Sequence, residues 1–248
     1  MATTDGSSGN ASGGNGAQRL LLKLSGEALG GADGSGIEPA SVTALCVELA
    51  AFVKAGGQLG IVVGGGNLLR GASLAQSGME RVSADHMGML ATVMNGIAMS
   101  SMLRQQGVDT AVFASVEIPG IAPGFSREGA LRALAAGQVC LFTGGTGNPL
   151  FTTDTAACLR AIEIDADLVL KATKVDGVYS ADPKLDPTAT RYDTLTYDEV
   201  IAQKLGVMDL PAICLCQDHQ MPLVVFDMAH RGALTGIMQG QSIGTRIQ

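Results

Sequence analysis

At 248 residues with 46% hydrophobic side chains, the chain is long enough for one large α/β domain or two small ones, and no apolar run approaches the ~20 residues of a membrane helix. A net charge of −7 and a pI near 4.9 weigh against nucleic acid or a membrane surface as partners, since both recruit basic patches, but leave small anionic ligands open. Five cysteines in mostly apolar contexts fit free thiols in a reducing cytoplasm; with three histidines and no second Cys pair at ligand spacing, Cys214-x-Cys216 does not read as zinc, and no metal ligand set is assigned.

Residues 1–18, "MATTDGSSGNASGGNGAQ", read as a flexible Gly/Ser/Asn-rich tail without the apolar segment of a signal peptide. Strand and helix patterns then alternate within one domain over 19–248. "RLLLKL" is a short apolar strand, and "EPASVTALCVELAAFVKAGG" a helix with Pro39 near its start and Gly56-Gly57 at its stop. "QLGIVV" is a strand, "ADHMGMLATVMNGIAMSSMLRQQG" a long helix and "VDTAVFA" a strand. "SREGALRALAAG" follows as a helix with Ser126 as N-cap, then "QVCLF" as a strand. Next come helix "TDTAACLRAIEI", strand "ADLVLKA", a long loop, and helices "YDEVIAQKL" and "LPAICLCQDHQ". "PLVVFD" is the last clear strand, before a short helix and a terminal "GTRI" edge. Strands apolar on both faces predict a three-layer α/β/α sandwich around a mostly parallel sheet, with ligands at the carboxyl ends of the strands.

Four turns at those ends carry unusual chemistry. In "LKLSGEALGG", Lys23 sits in an apolar strand, either snorkelling from an edge or serving an anion site with Ser25 and Gly26. In "IVVGGGNLLRG", Gly64, Gly65 and Gly66 offer bare amides, and Arg70 a forked donor; the pattern is neither a Walker A loop nor GxGxxG. In "TGGTGNPLFTTDTAACLRA", glycines and the hydroxyls of Thr152, Thr153 and Thr155 open a helix whose dipole favours negative charge. Asp154 there is either a plain N-terminal carboxylate or one that holds a catalytic lysine. In "LKATKVDGVYSADPKLDPTA", Lys171 and Tyr179 are suited to phosphates and a base. Lys23, Arg70 and Lys171 can converge from separate parallel strands, and three cations call for a polyanion. Phosphoryl transfer from a nucleotide fits, because it relies on positioning and charge neutralisation. No His–Ser or His–Cys pairing points to nucleophilic catalysis.

"LLLKLSGEAL", "VVGGGNLLRG", "DHMGMLATVMNG", "GGTGNPLFTTDTAACLRAIEI", "LKATKVDGVYSADPKLDPTA" and "LTYDEV" resemble, in order from about Arg19 to the C-terminus, the bacterial uridylate (UMP) kinases of the amino-acid kinase superfamily. The resemblance implies the amino-acid kinase fold and the reaction of ATP with UMP to give ADP and UDP, with Mg2+ held mainly through the ATP phosphates. Residue by residue it implies ATP contacts at Lys23, Leu24, Ser25, Gly26, Gly66, Arg70, Thr173, Tyr179 and Asp182, beside Lys171, which the loop itself suggests for the ATP phosphates. UMP contacts are implied at Gly65, at Asp85 through the ribose, and along Thr146, Gly147, Asn148, Pro149, Leu150, Phe151, Thr152 and Thr153. Lys23 and Arg70 then stabilise the transition state, and Asp154 orients Lys23. It also implies a homohexamer with GTP and UTP as effectors. Two departures weigh against regulation by GTP: the small, flexible "GGADGSG", and the absence of a basic run in "SVEIPGIAPGFSREGALRAL". The rival readings are an acyl-phosphate-forming kinase, opposed by Asp85 and the TGNP loop, and a non-catalytic nucleotide or ion-storage protein, opposed by the retained Lys23, Arg70 and Asp154.

Overall fold

Leu20, Leu22 and Leu24 pack on one side of strand β1 (Arg19–Leu24) and Leu21 on the other, with Lys23 following Leu21 by strand alternation. The structure, a computed structural model, describes residues 18–69, 78–230 and 232–248; the expected tail, save Gln18, and Arg70 lie outside them. The other strands are β2 (Gln58–Val63), β3 (Thr110–Ala114), β4 (Val139–Thr143), β5 (Leu168–Thr173), β6 (Thr194–Leu195), β7 (Leu223–Asp227) and β8 (Thr245–Ile247). They form one sheet in the order β3-β4-β2-β1-β5-β7-β8-β6. All pairings from β3 to β7 are parallel, whereas β8 runs antiparallel to β7 and parallel to β6.

The helices are α1 (Pro39–Lys54), α2 (Arg81–Gln105), α3 (Arg127–Ala135), α4 (Thr153–Glu163), α5 (Tyr197–Ala202), α6 (Leu210–Asp218) and α7 (Ala233–Met238). Val42 and Leu49 of α1, Met99 and Leu103 of α2, and Leu234 of α7 cover the Leu20/Leu22/Leu24 face. Leu134 of α3, Ala156 and Cys158 of α4, Val200 of α5 and Ile213 of α6 cover the Leu21 face. The predicted three-layer α/β/α sandwich with a mostly parallel sheet is the observed one.

Three local expectations change. The terminal "GTRI" strand is not an edge: the two-residue β6, too short to leave a periodic signal, lies outside β8. Helix α2 starts at Arg81, ahead of Ala84, supported by Ser83 donating to Glu80 at 3.0 Å and by the Arg81–Asp85 ion pair at 2.9 Å. The stretch after β1 is a short 3-10 helix, Gly26–Leu29, on which Ser25 acts as N-cap. "GGADGSG" closes into a turn: Asp33 accepts from the Ser35 amide at 2.9 Å, and the Gly36 amide donates to Asn67 O at 2.9 Å.

From β1 the chain moves first to β2 and its side of the sheet, then crosses to β5 on the other flank. The carboxyl ends of β1 and β5 thus bound a topological switch point, where open α/β sheets hold ligands.

Candidate active site

Lys23 and Lys171 are register partners on adjacent parallel strands, so both side chains leave the same face at the switch point. The first turn of α4 crosses above them. Thr152 caps it, accepting from the Asp154 amide at 3.0 Å and the Thr155 amide at 3.5 Å, which replaces two otherwise orphaned contacts. This aims the Asp154 carboxylate between the two ammonium groups. Oδ1 lies 2.7 Å from Lys23 Nζ as an ion pair outside hydrogen-bond angles, and Oδ2 accepts from Lys171 Nζ at 2.8 Å. All three side chains are 12–15% exposed. Burial alone would raise the Asp154 carboxyl, but Lys23 and Lys171 outweigh it and hold the group below the usual carboxylate range. Two cations share one anion here, so the cluster keeps one positive charge in a chain of net charge −7. Asp154 is therefore more than a first-turn carboxylate, and it holds Lys171 as well as Lys23.

Two further groups, not anticipated from sequence, complete this corner. Lys171 also donates to the carbonyl of Val207, and Thr155 Oγ1 donates to Asp209 Oδ2 at 2.6 Å, which ties α4 to the entry of α6. Val207 takes part through its backbone carbonyl and so carries no side-chain signal, whereas Asp209 is the N-cap of α6 ahead of Pro211, a helix-start signal that does not reveal its bond to Thr155.

On one side, a cavity of about 610 Å3 takes in Lys171, Thr173, Tyr179, Asp182 and Val207. Thr173 Oγ1 closes the turn after β5, donating to Val175 O at 2.6 Å. The Tyr179 hydroxyl donates to Asp176 at 2.6 Å; this bond raises the phenol above its ordinary value and lowers the Asp176 carboxyl. Lys174 pairs with Glu27 at 2.8 Å across the exposed rim. The Leu24 side chain is fully buried in the core, so only its backbone faces the turn.

The β2 turn corrects one expectation. The Gly64 amide is not bare: it donates to Leu24 O at 2.9 Å. Close approach explains two of the glycines. A Cβ on Gly26 would stand 2.6 Å from Gly64 O, and one on Gly65 would stand 2.7 Å from Gly88 O in α2. Only Gly66 meets nothing among the described residues. Beneath the turn, Asn67 and Asn95 exchange side-chain amide bonds of 3.1 and 2.7 Å, while Asn95 donates to Gly64 O at 2.7 Å and Asn67 to Gly36 O at 2.6 Å. Asn95 is fully buried. A lone Asn inside the apolar-rich "MLATVMNGIAM" was the available signal for it.

On the other side, a smaller cavity of about 210 Å3 is lined by Gly65, Gly66, Asp85, Thr146, Asn148, Phe151, Thr152 and Thr153, with Arg81 and Thr92 of α2. Left-handed backbone at Gly144, Gly145, Gly147 and Leu150, with φ of 77°, 59°, 85° and 73°, folds the loop over it. Leu150 is a strained position for a non-glycine residue, and Asp85 Oδ2 holds it by accepting its amide at 2.9 Å. Thr92 Oγ1 fixes the other end, accepting the Gly144 amide at 2.7 Å. Among the described residues, Asp85 accepts from Arg81 through both oxygens and from the Leu150 amide.

Paired cations at a switch point with a cavity on either flank agree with the comparisons. The model described as the amino acid kinase family matches residues 18–227. The chain belongs to the amino acid kinase family. It is 58% identical over 231 residues to the uridylate kinase of Marinobacter nauticus, covering 93% of this chain and 96% of that one. It is 56% identical to the uridylate kinase of Pseudomonas putida, covering 93% and 94%. The UMP kinase structure from Bacillus anthracis superposes with a TM-score of 0.90 at 34% identity, covering 94% of this kinase and 96% of that chain.

Proposed function

We propose that the chain transfers the γ-phosphoryl group of Mg-ATP to UMP, giving UDP and ADP. The observation that carries this reading is the Lys23–Asp154–Lys171 cluster, with its one excess positive charge, between two cavities. Relatives named uridylate kinase over nearly the whole chain support UMP as acceptor. The larger cavity, with Lys171, Thr173, Tyr179 and Asp182, is the ATP side, with Ser25 and Gly26 reaching it from the end of β1; Gly66, expected to contact ATP, lines the smaller cavity. The smaller one, with Gly65, Asp85 and the 146–153 loop, is the UMP side.

The UMP phosphate is already ionised near neutral pH, so its oxygen attacks without a strong general base. The chemical task is to bring two polyanions together and steady the charge on the transferring group. Lys23 and Lys171 do this from fixed positions, because Asp154 holds both ammonium groups before substrate arrives. The α4 N-terminus adds its dipole to the same point. Arg70, implied as a further donor, belongs to the same mechanism, though it lies outside the described residues. Among the described residues, no three His, Cys, Asp or Glu side chains gather as a metal cage, and Asp154 is committed to both lysines. That donor set suits Mg2+ carried on nucleotide phosphates, where it neutralises their charge.

The enzyme is expected to work in the cytoplasm as a homohexamer; exposed Leu90, Met94 and Ile97 along α2, with Val116 and Ile121 nearby, support self-association. UTP is its expected inhibitor; velocity with and without GTP decides whether GTP acts at all. Incubating the protein with Mg-ATP and UMP and separating the products tests the reaction: UDP and ADP appear in equal amounts, and ADP without UDP would overturn it.

A further inference from the structure

Arg160, in the last turn of α4, is only 5% exposed: a guanidinium enclosed beneath the loop over the smaller cavity. Its Nη1 pairs with Glu163, and its guanidinium carbon stands 3.9 Å over the Phe125 ring. Nη2 donates to Ser115 Oγ at 3.0 Å, and Ser115 Oγ donates to the carbonyl of Gly145 at 2.6 Å. A guanidinium has donors only, so Ser115 must accept from it, which leaves the single hydroxyl proton to go elsewhere. Gly145 O receives it. The direction of both bonds is thereby fixed from Arg160 outward to the loop, and each strengthens the other.

The loop turns around Ser115. The Ser115 amide donates to Thr143 O at 2.9 Å. A Cβ on Gly144 would come within 3.1 Å of Ser115 N, and one on Gly147 within 3.3 Å of Ser115 Cβ. Three left-handed glycines have little conformational preference of their own. Something outside the loop has to choose its shape, and Ser115 touches it at all three.

We propose that Arg160 and Ser115 form a positioning pair for acceptor recognition. They fix the Gly145 carbonyl, and with it the placement of Thr146 and Asn148 over the smaller cavity, so that UMP meets a preorganised loop. This rests on the reading of that cavity as the UMP side. A purely structural role for Arg160, as a cation at a helix C-terminus paired with Glu163, accounts for Nη1. It leaves unexplained why Nη2 is aimed at a serine whose proton is aimed at the loop.

The test uses the full chain. Ser115→Ala removes one oxygen and raises the KM for UMP about tenfold, the size of one lost hydrogen bond, while kcat and the KM for ATP stay within about twofold. Arg160→Met acts in the same direction, and the double variant is no worse than the poorer single one, because both act on one path. An unchanged KM for UMP in Ser115→Ala, or an equal rise in both KM values, overturns the proposal. Should Arg160→Met fail to fold, Ser115→Ala decides alone. If the wild-type chain makes no UDP, the UMP reading falls by itself. Hydrogen exchange at the Gly145–Asn148 amides separates the two failures: faster exchange in Ser115→Ala shows that the pair holds the loop and that only the acceptor reading has failed, and unchanged exchange overturns the pair as well.

Discussion

Asp154 carries two obligations that its neighbours make testable. Replacing it by Asn leaves Lys23 and Lys171 enclosed without their shared counter-charge, a loss typically worth about 3–5 kcal/mol in buried pairs. Asp154→Asn should therefore lower the urea midpoint at pH 7 and reduce kcat, and full kcat in a folded variant would remove its orienting role. The pH dependence has a definite sign. The folded-state carboxyl is depressed, so its stabilising contribution is complete above the ordinary carboxylate value of about 3.9 and fades as pH falls through the folded value. Urea midpoints of wild type and Asp154→Asn should accordingly differ at pH 7 and converge towards acid pH; a constant gap would contradict the assignment. Lys23 was legible in the sequence because a charge inside "LLLKL" demands a partner. That Asp154 serves Lys171 equally was not, because strand register brings the two lysines together and sequence spacing carries no register.

At the scale of elements, the β2 turn and α2 are fitted to each other through Gly65 and Asn95. Gly65→Ala places a methyl 2.7 Å from Gly88 O and 2.9 Å from Ala91 Cβ, so α2 must shift. We expect a loss of about 1–3 kcal/mol in urea unfolding. Gly66→Ala has nothing within 4 Å to meet among the described residues and should unfold like wild type. Equal stability of the two variants would mean that Gly65 is not a packing glycine. Asn95→Ala leaves the Gly64 carbonyl and the Asn67 side chain short of partners and should cost about 1–3 kcal/mol. The glycine run was readable as a turn, but as one of three bare amides; its division of labour was not legible. Gly64 and Gly65 meet protein and, among the described residues, Gly66 does not, a difference set by where α2 crosses. Strands such as "QLGIVV" and helices such as α3 were legible from period and caps, whereas β6, two residues long, offers no period at all.

Over the whole molecule, charge and apolar surface are separated. A chain of net charge −7 gathers Lys23 and Lys171 at one switch point, which favours an anionic ligand there without general affinity for polyanions. The α2 stripe of Leu90, Met94 and Ile97, exposed at 43–56%, is an unusual concentration of apolar surface for a lone subunit. Sedimentation velocity should find a discrete oligomer, and Leu90→Glu with Met94→Glu should dissociate it; a monomer at micromolar wild-type concentration would contradict the assembly. The acceptor itself decides the account. An ADP-release assay with Mg-ATP, offering UMP, CMP, dUMP and acetylglutamate in parallel, should give turnover with UMP at least about tenfold above the rest, the margin a hydrogen-bonding pocket supplies. Faster turnover with acetylglutamate, or tight ATP binding with no turnover on any of the four, would contradict it.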